Sequence, residues 1–367
     1  MNRDSIIPGP LQHIPWGMLS VVAAIGSAGL VVLYSAAGAS LTPWALPQGI
    51  RFVAFIGLAV AISWAGEDRL KKAALPTYMI LVVLLLLVEL FGFVGGGSRR
   101  WLDLGFIRLQ PSELMKPVIV LAVARFYDLL PASEIRGWSA VWPPALLIGV
   151  PASLVLIQPD LGTALMIVAG GITVAFLAGL PLRLFGGAAL ALAAALPIAL
   201  SMMHDYQRDR IKIFLNPESD PLGTGYHIIQ SKIAIGSGGV FGKGFLGGTQ
   251  SHLDYLPERH TDFVFATMAE EWGLLGGLFL IFAFLLVIRW GMRVAANARN
   301  RFARLTAAGL ATTIFFYVAI NLSMVMGLAP VVGIPLPLVS FGGSAMMTVL
   351  ISLGMLMAID RSSNRSA

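Results

Sequence analysis

The sequence predicts an all-α polytopic membrane protein of about ten transmembrane helices, with both termini cytoplasmic and a long extracytoplasmic loop between spans 7 and 8. Three observations predict it. The 367 residues are 57% hydrophobic and only 12% charged, with mean hydropathy +0.81, a balance unlike that of soluble domains. Apolar runs of about 20 residues, the length that crosses a hydrocarbon layer, recur along the whole chain. Charged residues fall mostly in the segments between those runs. The chain therefore reads as one membrane domain over 1–367, with the loop 205–261 inside it.

The first run, Ile14 to Ala36, is too long for a signal-peptide core, although Ala37-Gly38-Ala39 imitates a cleavage site. Further spans follow, so it reads as a retained first helix, and no lipidation motif accompanies it. The remaining spans are expected at 49–66, 74–95, 112–131, 141–158, 161–180, 184–204, 263–290, 303–326 and 339–359. Small residues within them, such as Gly170-Gly171 and Gly186-Gly187, predict close helix packing. The halves show no internal repeat, which withholds support from an inverted-repeat transporter.

Orientation comes from the loops. With a cytoplasmic N-terminus, just over half of the 25 Lys and Arg lie inside, including Arg69, Lys71, Lys72, Arg125, Arg136, Arg183, Arg289 to Arg304 and Arg361. An even number of spans then puts both basic tails inside. The cations left outside concentrate in two segments and call for an anionic ligand there. The net charge of +6 is spread over many short loops and is no nucleic-acid signal.

Those two segments are unlike linkers. One runs from Gly95 to Pro117; the other is the loop 205–261, far longer than an ordinary connection and hence expected to be functional. Within it Tyr226 to Phe245 is apolar and glycine-rich, too short and broken to span, and is expected as a helix or re-entrant piece at the outer membrane face.

Several side chains carry chemistry, each with a plainer alternative. Asp262 follows Thr261 at the doorway between a polar loop and a span, where a carboxylate is either a helix cap or a working group. Glu113 and Lys116 share a helical face inside a span, with Ser112 expected to cap that helix. An ionisable Lys116 there is an ion-pair member or a ligand contact. Asp160 in Gln158-Pro159-Asp160-Leu161-Gly162-Thr163 is expected to cap the next span. Gly238 to Lys243 imitates a phosphate loop, but Ser237 and Gly244 stand where the Walker pattern needs Gly and Ser or Thr. The run 327–344 is a proline-rich corner that can also line a groove for an isoprenoid or sugar, with Ser340 its substrate-binding candidate. His204, His227, His252 and His260 lie in or beside the long loop without a His-Glu-x-x-His pattern, and no Gly-x-Ser-x-Gly elbow occurs. A transition-metal site and a serine hydrolase therefore lack support, and with no cysteine so do disulfides and thiolate metal sites.

Five stretches together resemble the SEDS family (shape, elongation, division and sporulation). They are Gly97 to Gly105, Leu109 to Lys116, Gln158 to Thr163, Leu256 to Ala266 and Gly333 to Ser344. They span nearly the whole chain in family order; Phe341, where tyrosine is common, is a mild departure. Pro-Glu-Arg-His-Thr-Asp and Ile-Pro-Leu-Pro-Leu-Val favour the RodA-type branch over the FtsW-type branch. The resemblance implies a peptidoglycan glycosyltransferase that polymerises lipid II during cell elongation at the outer face of the cytoplasmic membrane. It also implies a class B penicillin-binding protein as partner, within the elongation machinery. Asp262 falls on the family's essential aspartate; Glu113, Lys116 and Asp160 fall on other motif positions.

The implied chemistry suits these residues. Polyprenyl pyrophosphate is already a good leaving group, so the acid half of a glycosidase pair is dispensable. Asp262 is then expected as general base on the acceptor 4-hydroxyl, with inversion, while Arg51, Arg100, Lys116, Arg210 and Lys243 are expected pyrophosphate contacts. A divalent cation such as Mg²⁺ can share that task, although no ligand set is legible. The rival expectations are a lipid II carrier or flippase, and a non-catalytic scaffold that activates the penicillin-binding protein.

Overall fold

A computed structural model describes residues 14–95, 98–103, 108–202, 205–220, 223–253, 255–256 and 258–365. Its helices are α1 (Trp16–Ala36), α2 (Ala45–Ser63), α3 (Glu67–Phe91), α4 (Pro111–Leu129), α5 (Trp142–Ile157), α6 (Leu161–Leu177) and α7 (Leu182–Met202). After these come α8 (Asp205–Leu215), α9 (Thr224–Gly238), α10 (Thr249–His252), α11 (Val264–Asn297), α12 (Arg301–Val325) and α13 (Gly343–Arg365). Each of the ten expected spans falls on one of α1–α7 or α11–α13. Three short antiparallel strands, β1 (Phe93–Gly95), β2 (Ser98–Asp103) and β3 (Arg108–Leu109), precede α4. The sequence reading had no strands there.

The chain's two kinds of loop segregate to opposite ends of the bundle, which is what alternating spans require. At the expected inner end Arg301 donates to the carbonyls of Leu130 and Ala178, Asn300 bonds Glu67, and the Glu67 amide donates to Ser362. Lys71 and Arg125 both pair with Asp128 at 2.8 Å. At the other end the expected outer segments meet one another, as described below.

Helix α4 is buried over most of its length and packs against α3, α6 and α12. Missing side chains permit that approach: a Cβ on Gly309 of α12 would stand 2.6 Å from Val120 of α4, and one on Gly170 of α6 would stand 3.4 Å from Val120. Gly186 and Gly187, in contrast, face open space, so the small-residue rule fails on α7. Pro76, Pro117 and Pro151 sit inside helices; Pro117 and Pro151 are buried, where neighbouring helices cover the freed backbone.

Helix α11 is broken at Gly273, whose φ of 65° and ψ of −161° are closed to other residues. The break is spliced by the turn after α9. Amides of Lys243 and Gly244 donate to the carbonyls of Glu270 and Glu271, and amides of Leu274 and Leu275 donate to those of Gly239 and Val240. Gly238, Gly242 and Gly273 meet backbone where any Cβ would overlap it. The glycines that imitate a phosphate loop thus serve a backbone-to-backbone contact, and the 243 and 244 amides are already used. As expected, α9 is a helix within the long loop, packed on α11.

Candidate active site

Asp262 stands immediately before α11, whose N-cap is Phe263 without a side-chain cap bond. The cap position therefore belongs to Phe263, and the Asp262 carboxyl is half-buried. Three consecutive carbonyls are gripped here. The Phe341 amide donates to His260 O at 2.7 Å, Ser340 Oγ to Thr261 O at 2.6 Å, and Asn321 Nδ2 to Asp262 O at 3.0 Å. Asn321 also donates to Ile334 O at 2.8 Å. Ser340 Oγ accepts the Leu336 amide, and Ser340 O accepts from Gln48 Nε2 at 2.7 Å. Segments 260–262 and 334–341 and the start of α2 are thereby one rigid unit. Gly333, at φ 71°, lies alongside: a Cβ there would be 3.7 Å from Asp262 Oδ2.

Aromatic and cationic groups border this unit. His260 stacks on Trp44 with ring centroids 4.2 Å apart, and Arg259 lies over the same indole at 5.6 Å. Burial against the indole pushes the His260 pKa below its ordinary 6.5; Glu258 opposes that shift and Arg259 adds to it. Arg51 of α2 is exposed, its guanidinium 5.3 Å above the Phe341 ring.

Lys116 donates to Glu113 at 2.5 Å and to Tyr317 at 2.9 Å, while the Tyr317 hydroxyl donates to the second Glu113 oxygen at 2.6 Å. This triangle is closed and buried. Ser112 does not cap: Gln110 holds the N-cap position, and the buried Ser112 hydroxyl has no partner among the described residues. Asp160 does cap, accepting from the Thr163 amide at 3.1 Å. Arg100 donates to Pro159 O at 2.5 Å and lies 3.8 Å from Asp160. The same turn reaches the Asp262 unit, since a Cβ on Gly162 would meet Val332 O at 2.7 Å. Lys243 is apart from these, its ammonium 2.6 Å from the fully buried Glu270 carboxylate, which also accepts from Thr249 and Gln250. Arg210 is on α8, and its side chain lies outside the described residues.

Tyr317, Asn321, Gln48 and Trp44 were missed from sequence. Asn321 carried a readable signal, an amide inside an apolar span. Trp44 and Gln48 carried none, because their partners are distant in the chain. Among the described residues no group of three or more His, Cys, Asp or Glu is placed to hold a metal ion.

A bundle of apolar helices with a carboxylate-centred polar unit at one end defines a polytopic integral membrane protein with a site at the membrane boundary. The cell cycle protein family FTSW_RODA_SPOVE matches residues 15–365, and the chain belongs to that family. It is 46% identical over 352 residues to the peptidoglycan glycosyltransferase MrdB of Escherichia coli (strain K12), covering 95% of this chain and 93% of that one. The peptidoglycan glycosyltransferase RodA of Treponema pallidum (strain Nichols) is 30% identical over 421 residues, covering 94% and 96%. Among solved structures, Thermus thermophilus rod shape determining protein RodA superposes with TM-score 0.72 at 31% identity, over 95% of this chain and 97% of that one. A chain from a structure described as "Structural coordination of polymerization and crosslinking by a peptidoglycan synthase complex" gives TM-score 0.81 at 36% identity, over 95% and 98%. Its helices and relatives make this chain an integral inner-membrane protein.

Proposed function

We propose that this peptidoglycan glycosyltransferase polymerises lipid II, a polyprenyl-pyrophosphate-linked disaccharide peptide, with Asp262 as the general base at the outer face of the membrane. The acceptor 4-hydroxyl attacks the anomeric carbon of the donor sugar. Its proton passes to Asp262, the anomeric carbon–phosphate oxygen bond breaks, and polyprenyl pyrophosphate leaves with inversion. The observation that carries the assignment is the difference in exposure among the motif acids. Glu113 and Asp160 are buried, whereas Asp262 is half-buried on a backbone clamped at three carbonyls.

Arg51 is the favoured pyrophosphate contact, because its exposed guanidinium lies against the Phe341 ring and Gly343 and has no hydrogen-bonded or carboxylate partner among the described residues. Arg100, Lys116 and Lys243 hold protein acceptors already. An apolar groove of about 880 Å³ opens between α1 and α2, lined by Leu30, Val31, Tyr34, Leu46 and Ile50 and by Phe245 from the long loop. Its chemistry suits a polyprenyl tail. Mg²⁺ carried on the pyrophosphate with its own waters would need no protein cage. Likeness to a peptidoglycan synthase complex supports a class B penicillin-binding protein as partner.

The test is polymerisation of labelled lipid II by the purified protein with its penicillin-binding partner. Asp262→Asn should abolish glycan strands, while Arg136→Ala at the inner end should not. Normal strands from Asp262→Asn would refute the base. Lipid II crossing vesicle membranes without polymerisation would favour the carrier, and strands made only by the partner would favour the scaffold.

A further inference from the structure

We infer that Asn321 is a positioning residue for Asp262, setting the carboxylate through the aspartate's own backbone carbonyl. The inference rests on the assignment of Asp262 as the base. Asn321 is fully buried on α12, and both its donor hydrogens are committed, one to Asp262 O and one to Ile334 O. Because both partners are carbonyls, the amide orientation is fixed: the NH₂ must face them. Its Oδ1 is buried with no partner among the described residues. A buried amide that leaves its acceptor unmet calls for a reason, and its two donor bonds supply one in geometry rather than stability.

The geometry it serves is specific. Ile334 adjoins Gly333, whose absent Cβ would lie 3.7 Å from Asp262 Oδ2. One amide thus ties the aspartate to the segment that borders its carboxylate. The tie does not swing, because Tyr317, one turn earlier on the same helix, is bonded to Glu113 and Lys116. The sequence of contacts runs Glu113–Lys116, Tyr317, α12, Asn321, Asp262, and only the last touches the proposed reacting proton. Misplacing a catalytic group by about 1 Å costs on the order of a hundredfold in rate, so removing the tie should act on turnover rather than on substrate capture.

The experiment compares Asn321→Leu, Asn321→Asp and Asp262→Asn in the full-length protein with its partner. It measures kcat and KM for lipid II across pH, with thermal unfolding to confirm folding. For Asn321→Leu, kcat should fall about a hundredfold with KM little changed. An aspartate at 321 donates only while protonated, and then to one carbonyl. Asn321→Asp should therefore lose kcat progressively as pH rises, an alkaline limb absent from the unmodified protein, while the thermal unfolding measured at each pH shows the protein still folded, which a purely structural role would not produce. Should Asn321→Leu fail to fold, that limb carries the test. Both variants turning over at the normal rate while Asp262→Asn is inactive would overturn the inference, as would a rise in KM alone. Normal turnover by Asp262→Asn would instead remove the base assignment, and the inference with it.

Discussion

Lys116 was expected to be either an ion-pair member or a ligand contact, and its replacement by methionine separates the two. The ammonium is 1% exposed and its Glu113 partner 6%. Both Glu113 oxygens are engaged, one by Lys116 at 2.5 Å and one by the Tyr317 hydroxyl at 2.6 Å. Lys116→Met leaves that carboxylate buried with a single neutral donor. Breaking one side of a buried pair costs about 3–5 kcal/mol, roughly two to three and a half decades in the folded-to-unfolded ratio. Neutralising the carboxylate as well, in Lys116→Met with Glu113→Gln, removes the stranded charge. Replacing a whole buried pair is often near neutral, so the double variant should recover most of the loss, with a coupling energy of at least about 2 kcal/mol. The assay is unfolding of the purified protein in lipid nanodiscs, with polymerisation measured on the same samples; activity should follow the folded fraction. If Lys116→Met stays within about 0.5 kcal/mol of the parent yet makes no glycan, and Glu113→Gln restores nothing, then Lys116 grips substrate and the closed triangle has been misread.

Two further outcomes follow from local geometry. Gly273→Ala forces a Cβ into a backbone conformation only glycine adopts, against Val240 O at 2.5 Å; it should lose more than about 2 kcal/mol. Gly186→Ala, facing open space in a helix, should be neutral or gain up to ~1 kcal/mol, and equal melting temperatures for the two would sink the argument. The stacked His260 ring has its pKa lowered by burial, so the unfolded chain binds its proton first as pH falls. The ring's contribution is full above pH 6.5 and is lost as pH drops through the depressed folded value. Melting curves from pH 7.5 downward should therefore fall less steeply for His260→Phe, which keeps the stack on Trp44; parallel curves would rule this out.

Helix positions were legible because the apolar runs are long and bounded by charge; among the described residues seven helices are long and apolar enough to cross a membrane, while α4, α6 and α7 are not among them. That successive connections alternate between two ends of the bundle was legible for the same reason. The Asp160 cap was legible because a cap bond is local, three residues long. The same local rule misassigned Ser112 and left Asp262 open, because where a helix begins depends on what holds the preceding backbone. For Asp262 the holders are Asn321, Ser340 and the Phe341 amide, all about 60 to 80 positions away in sequence. Lys243 shows the complementary limit. Its glycine-rich surroundings looked like anion chemistry, but the Glu270 partner and the break in α11 exist only once α9 folds back. Polar groups inside spans, Tyr317 and Asn321, were the signal left unused.

The splice at Gly273 changes what kind of object the long loop is. Long surface connections can ordinarily be trimmed at small thermodynamic cost. Here the turn from 239 to 244 completes the backbone pairing of a helix it does not belong to, meeting two carbonyls and two amides at the break. Excising it would strand those four groups at the break, at a few kcal/mol apiece. The segment that looks most like an insertion is thus a missing turn of α11 supplied from elsewhere in the chain, and neither piece is whole alone.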